Sequence, residues 1–476
     1  MKQKLPFKVK LAYGLSGYSS FITWTIFSFY GLYFFTDVVG FTAAFAGSII
    51  SLGTLWDAIT DPVIGALSDN VKSEKGRRRP LIIGIAVPFA LVSILLFTDF
   101  AFSESVSKIY FIVIILAYYT IQTILDISSS ALGSEMTLDY DERSSLATYK
   151  NFFCMAVVII VSPTLMLTSY FGRFFQNHAF GWSCTLALYM VFALLCIVVL
   201  WKTTKGYERY ESDDTGIKLK NFREVFRNRP AKIVMAIFAL GVFGNTANLS
   251  LQVYYFGHYV RMTDAQIAAV MTVSGIAACI AAFGVDFLCQ KFSKKAAWLL
   301  AVGLEAASMI LFIGFLIHPG QVVLVYILFL LMSLGTCAIY QVPWSMIPDC
   351  VDVNLLISEK RIDGLVFGLV AFLQKVSGAI AIALVGIALT AIDYQAGQTQ
   401  DVKTLEALKF LYGFGCGGIF LISLVLALKY PLSRKRHAEF LTAITEKQEG
   451  KEIDREKFKD LIGVDQFAAV SRPENK

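Results

Sequence analysis

Residues 12–36 read AYGLSGYSSFITWTIFSFYGLYFFT, 25 positions without a charge. About 20 consecutive apolar residues cross a bilayer as a helix, so this stretch is long enough to span. Similar runs recur at 41–67, 81–100, 107–134, 146–170, 180–202, 231–257, 264–290, 296–317, 321–346, 363–392 and 406–430. Only 16% of the chain is charged, against roughly a quarter in soluble domains. A β-barrel would show short segments of alternating polarity instead. The pattern predicts an all-α integral membrane protein with twelve transmembrane helices.

With those spans, the loops alternate between two sides. Of the 42 Lys and Arg, 35 lie in or beside one set: the N-terminal tail, the 2–3, 4–5, 6–7, 8–9 and 10–11 loops, and the C-terminal tail. The other set holds Lys108, Arg173, Arg261, Lys403 and Lys409 in or beside it, and the remaining two, Lys150 and Lys375, lie within spans. The positive-inside rule then places both termini in the cytoplasm. Topology accounts for the basic loops, so no nucleic-acid partner is implied. The N-terminus lacks an A-x-A cleavage site, and the first span is expected to stay as an anchor.

The organisation reads as an N-terminal six-helix bundle (1–202), a cytoplasmic connector (203–230), a C-terminal six-helix bundle (231–430) and a cytoplasmic tail (431–476). In the connector, Leu219, Phe222, Val225 and Phe226 stand at helical spacing among cations. That suits either a helix on the inner leaflet or a solvated linker helix. The tail is expected to add a short helix and disorder. The two halves echo each other, GALSDNVKSEKGRRRP in the second span against GVDFLCQKFSKK in the eighth. Repeats around a midplane site are how many secondary transporters are built. Eight cysteines and four histidines show no C-x-x-C or zinc-ligand spacing.

Ionisable groups deep in spans are the informative minority, since an aspartate at a helix centre costs about 2.5–3.5 kcal/mol to insert. Asp57, Asp61 and Asp126 are three such groups. Asp57 and Asp61, at i and i+4, share one helix face with Gly53, Thr54 and Gly65. Pro62 frees the Ala58 carbonyl, completing an oxygen-rich nest of the kind a hard cation prefers. The alternative is a charge pair with cytoplasmic lysines at the helix end. In the fourth span Tyr119, Gln122, Thr123, Asp126, Ser129, Ser130 and Gly133 form a polar stripe, either a cavity wall or close helix packing. Ser16, Ser20, Thr23 and Phe27 make a milder stripe on the first span. Trp24 beside it lines the cavity or packs against lipid. Lys375 lies too deep to snorkel comfortably and needs a carboxylate or a ligand, an aspartate of the first half being the natural partner. Lys150 either snorkels or faces the cavity. No H-E-x-x-H or G-x-S-x-G cluster suggests catalysis; the set suits binding a cation together with a polar solute.

The stretch WDAITDPVIGALSDNVKSEKGRRRP (56–80) resembles the glycoside–pentoside–hexuronide:cation symporters, the melibiose-permease type of the major facilitator superfamily. KLAYGLSGY, YFFTDVVG, TILDIS and IPDCVDV…EKRIDG…FLQK fall in the same order over residues 10–380. The resemblance implies the major facilitator fold and a bacterial inner-membrane location. It implies Asp57, Asp61 and Thr123 as the cation site, where Na⁺ would bind, and no cofactor beyond a coupling ion, Na⁺, H⁺ or Li⁺. For the solute it implies Asp126, Lys375 and Tyr340, and Lys150, Trp24 and Ser130 are expected at the same pocket. Three positions depart from the melibiose pattern. Ser20 and Phe21 stand where a first-helix aspartate would be, Ser130 replaces a sugar-stacking tryptophan, and Lys150 or Asn151 replaces an arginine.

The expected function is secondary active, cation-coupled symport of a sugar or glycoside (pentoside, xyloside, galactoside or glucuronide) by a monomer in the lipid bilayer. In the outward-open form, the Asp69 and Arg77, Arg78 and Arg79 loop is expected to latch the inner side, with Asp349 or Asp352 across the halves. A lysolipid symporter keeps the same fold. A membrane sensor would need a larger soluble domain, and an enzyme would need a catalytic cluster.

Overall fold

The computed structural model describes residues 5–69, 78–137, 140–207, 228–358 and 363–431, with 436, 439 and 442. Arg77, the amphipathic stretch of the connector and most of the 431–476 tail lie outside the described residues, and the side chains of Asp69 and Asp352 are not described either.

Among the described residues the chain forms fourteen α-helices. The first seven are α1 (Phe7–Tyr33), α2 (Ala43–Asp69), α3 (Arg79–Leu96), α4 (Glu104–Met136), α5 (Tyr140–Val161), α6 (Thr164–Phe174) and α7 (His178–Thr203). Beyond the connector come α8 (Arg229–Tyr254), α9 (Asp264–Lys291), α10 (Lys294–Ser308), α11 (Val322–Ser358), α12 (Asp363–Ala391), α13 (Val402–Phe410) and α14 (Gly417–Leu428). π-helical segments prolong α1 (Phe34–Val38), α8 (Tyr255–Val260) and α10 (Met309–Leu316), and Leu411–Cys416 joins α13 to α14.

Among the described residues ten helical segments are long and apolar enough to cross a membrane, eleven if α5 and α6 count as one span bent by 45°. The bend falls at Ser162–Pro163, where proline cannot donate to the helix ladder. The sequence expected twelve spans, the first at 12–36. Its helix α1 is 27 residues long but is not among the ten, because its serines and threonines, the buried Ser16, Ser19, Ser20, Thr23 and Thr25 among them, make it too polar. Ends are set by local chemistry. Asn177, Asn228 and Ser293 accept hydrogen bonds from the first-turn amides of α7, α8 and α10. Thr263 and Gln266 form a reciprocal capping box on α9.

Helices α1–α7 pack mainly on one another, and so do α8–α14; the groups meet where α1 touches α8, α2 touches α12 and α5 touches α9. In the first group an aromatic cluster fills one end: Phe34 and Phe97 pack on Trp182, the Phe97 and Trp182 rings stacked at 5.7 Å. Bulky rings there supply much of the buried apolar area.

Candidate functional site

The α2–α12 contact carries the site. Near the start of α2, the Ala44 amide donates to Thr390 Oγ1 at 3.0 Å. One turn on, Gly47 faces Gly386; a Cβ on either would strike the opposing backbone, so only glycine lets these helices meet. Ser51 then donates to the Ala379 carbonyl at 2.6 Å. The two helices run antiparallel, so this ladder leads to Asp57 and Asp61 on one side and Lys375 on the other.

Lys375 Nζ stands 2.6 Å from Asp57 Oδ2 and also pairs with Asp61 Oδ2. The i, i+4 spacing aims both carboxylates at one ammonium group. Thr123 on α4 donates its hydroxyl to Asp57 Oδ1 at 2.6 Å, so both oxygens of Asp57 are engaged. Its neighbour Thr54 instead meets the Tyr119 hydroxyl at 2.9 Å. Asp57 is 14% exposed, well out of water, and a charge so placed needs this partner.

One turn beyond Thr123 on α4 a second cluster begins. Lys150 on α5 lies 3.3 Å from Asp126 Oδ1 and donates to Ser130 Oγ at 2.8 Å. Asp126 is 45% exposed, so its free face is open to an incoming solute. Gln122 turns away and donates to the Ser20 carbonyl at 2.5 Å, tying α4 to α1. Trp24 is 39% exposed, its ring edge-on to Phe21 at 5.7 Å. Tyr340 on α11 accepts from Asn245 Nδ2 at 3.1 Å and makes no described hydrogen bond to either ion cluster.

The residues named for the latch sit elsewhere. Arg78 pairs with Glu135 at 2.8 Å, and Arg79 donates to the Trp201 carbonyl, with its guanidinium over the Trp201 ring. Asp349 pairs with Lys294 at 2.7 Å. None of these three contacts crosses between the helix groups.

Besides the α2–α12 contacts, hydrogen bonds that cross between the groups gather at the opposite end, and the sequence reading did not single these out. Tyr394 donates to Asp37 Oδ1 at 2.8 Å, and its hydroxyl lies 2.8 Å from His258 Nε2. Thr36 and Tyr254 hydroxyls are 2.8 Å apart, and Ser169 donates to Asp264. These residues sit in loops and helix ends, where no periodic pattern marks them. Glu305, fully buried in α10, was also missed, although a charge in an apolar run is the very signal that marked Asp57.

A family model described as MFS/sugar transport protein matches residues 12–434. Two Escherichia coli relatives are similar over most of their length. One, named as a candidate glycoside/cation symporter, is 28% identical over 86% of this chain and 88% of its own. The other, named as a candidate sulfoquinovose importer, is 26% identical over 98% of each. The crystal structure of a D-xylose–proton symporter superposes with a TM-score of 0.63 at 14% identity, covering 90% of this chain and 98% of that one. At that identity the likeness speaks for the fold alone, an all-helical major facilitator architecture. The chain belongs to the MFS/sugar transport protein family, and is a multi-pass membrane transporter rather than an enzyme.

Proposed function

We propose that the protein is a cation-coupled symporter of a sugar or glycoside in a bacterial inner membrane. It works as twelve spans in two bundles with both termini in the cytoplasm. Counting α1 as a span and α5–α6 as one bent span brings the ten apolar segments to twelve, and the side bearing most cations faces inward. The observation that carries the reading is the Lys375 ammonium lodged between Asp57 and Asp61, one helical turn from the solvent-facing Asp126–Lys150 pair.

Asp57, Asp61 and the Thr123 hydroxyl are hard oxygen donors that Na⁺, Li⁺ or a proton can use. Lys375 now offsets one of their two charges. An entering cation takes over that task and frees the ammonium, which can then turn to solute hydroxyls or a solute anion alongside Asp126 and Lys150. Each ligand therefore raises affinity for the other by the same factor. In the proposed orientation the crossing contacts at Asp37, Tyr394 and Tyr254 lie outside, so this conformer is closed outward. One charge moving inward down about 100 mV contributes about 2.3 kcal/mol, enough for roughly fifty-fold accumulation.

The test is uptake into proteoliposomes of labelled xylosides, pentoses, galactosides, glucuronides and sulfoquinovose, under separate inward Na⁺ and H⁺ gradients. One solute is expected to accumulate, uncoupled from the gradient in Asp57→Cys and lost in Asp126→Cys. Accumulation unaffected by both variants would overturn the site. Transport of none of the panel would overturn the sugar assignment and move the search to lysolipids.

A further inference from the structure

Glu305 lies within the apolar span Lys294–Leu316 and is 0% exposed. Its Oε1 accepts one hydrogen bond, from the Thr336 hydroxyl on α11 at 3.1 Å. Its Oε2 has no hydrogen-bond partner. Gly335 explains how α11 comes so close: a Cβ there would stand 2.5 Å from both Glu305 Cβ and Oε2. The titratable groups near enough to feel its charge are Tyr340 on α11 with Tyr412 and Cys416 before α14. Among the described residues no Lys, Arg or His from α8, α11 or α14 pairs with it. Asn245 on α8, whose amide donates to Tyr340, leaves its own buried Oδ1 unpartnered.

A carboxylate at this depth, with one hydroxyl for company, has too little around it to replace the water a charge needs. The neutral acid has no such need. We infer that Glu305 is a proton-binding site in the second half of the chain, separate from the Asp57–Asp61–Lys375 cluster, loaded in this conformer and unloaded when water reaches the α8–α10–α11 junction. Dryness, not a specific partner, sets the proton affinity here. Conformers that differ in how wet the junction is must therefore differ in affinity for the proton. By linkage, acidification favours the dry conformer, the one closed at Asp37 and Tyr394.

The experiment uses full-length protein in lipid nanodiscs without any solute, so its failure leaves the sugar assignment untouched. Infrared difference spectra are recorded from mildly acidic to mildly alkaline pH for wild type, Glu305→Gln and Thr336→Val, each checked for monodispersity. Wild type should show a neutral-carboxyl band that bleaches as pH rises, and Glu305→Gln should lack it. Thr336→Val removes the hydroxyl that favours the charged form, so its bleaching should move to more alkaline pH. In parallel, hydrogen exchange at 36–48 and 386–398, divided by the intrinsic rate of an unstructured chain at each pH, should slow on acidification in wild type, by at most about tenfold per pH unit for one proton. Glu305→Gln should lose the Glu305-linked part of that slowing, and any part kept belongs to the Asp37–His258 contacts. A band that no pH in the range bleaches would make Glu305 a permanently neutral structural acid and overturn the exchange. A band bleached by Na⁺ at constant pH would make it a sodium site and overturn the proton assignment. Identical pH responses in wild type and Glu305→Gln would break the link to conformation.

Discussion

Two acids in the two halves of this molecule meet the same problem differently. Asp57 and Asp61 come as a pair and share an ammonium carried by the other half. Glu305 stands alone against a threonine hydroxyl. In the first place the charge survives because an opposite charge is delivered to it, and separating the halves would expose it. In the second the charge is suppressed by removing water. Pairing makes a site answer to ions and to the distance between bundles; burial makes it answer to wetting.

The largest effect should come from taking the shared cation away. Lys375→Ala leaves two partly buried carboxylates facing each other. Breaking a fully buried pair costs about 3–5 kcal/mol, and the partial exposure here reduces that to about 1–3. Thermal unfolding in detergent should show a lowered Tm that Na⁺ restores more in the variant than in wild type, since the ion replaces the ammonium. Equal Na⁺ effects in both would mean that Lys375 and the cation do not share a site. Gradient-driven uptake should be lost in the same variant.

A smaller perturbation acts on the seam that delivers Lys375. Gly386→Val drives a side chain into the Ala43 carbonyl, an overpacking that costs about 1–3 kcal/mol. Hydrogen exchange over 43–51 and 379–390 should quicken while the far loops stay unchanged. Unchanged exchange would show that the helices slide rather than part, and the seam would not be what holds the pair together. The smallest effect is expected at the contacts around Tyr394. Tyr394→Phe removes the hydroxyl between Asp37 and His258, a loss of about 0.5–1.5 kcal/mol. Reactivity of a thiol placed at position 390 should rise a few-fold; no rise would assign the closure to Thr36–Tyr254 and Ser169–Asp264 instead.

Most of the architecture was legible because the bilayer demands it. Long uncharged runs have one use at this frequency, and the helices start and stop within a few residues of those runs. The exceptions have local causes: α11 continues to Ser358, beyond the apolar run, and α6 departs at a proline. Asp57, Asp61, Asp126 and Lys375 stood out because each carries a charge where charges are costly. Glu305 obeys the same rule and was overlooked because it lacks neighbours of its kind. Trp24 and Tyr340 could not be decided from spacing, since an aromatic in a span serves lipid, core or cavity equally well.

What the sequence determined by itself was the set of helices, their polar faces and the i, i+4 alignment of two carboxylates, because hydrophobic period and insertion cost act along a single chain segment. Which charge answers which was decided only in three dimensions. Asp61 and Lys375 lie 314 positions apart, and their meeting rests on two glycines that let α2 and α12 touch. Glu305 was left without a cation by the same packing, since nothing in its own helix records what the neighbouring helices bring to it.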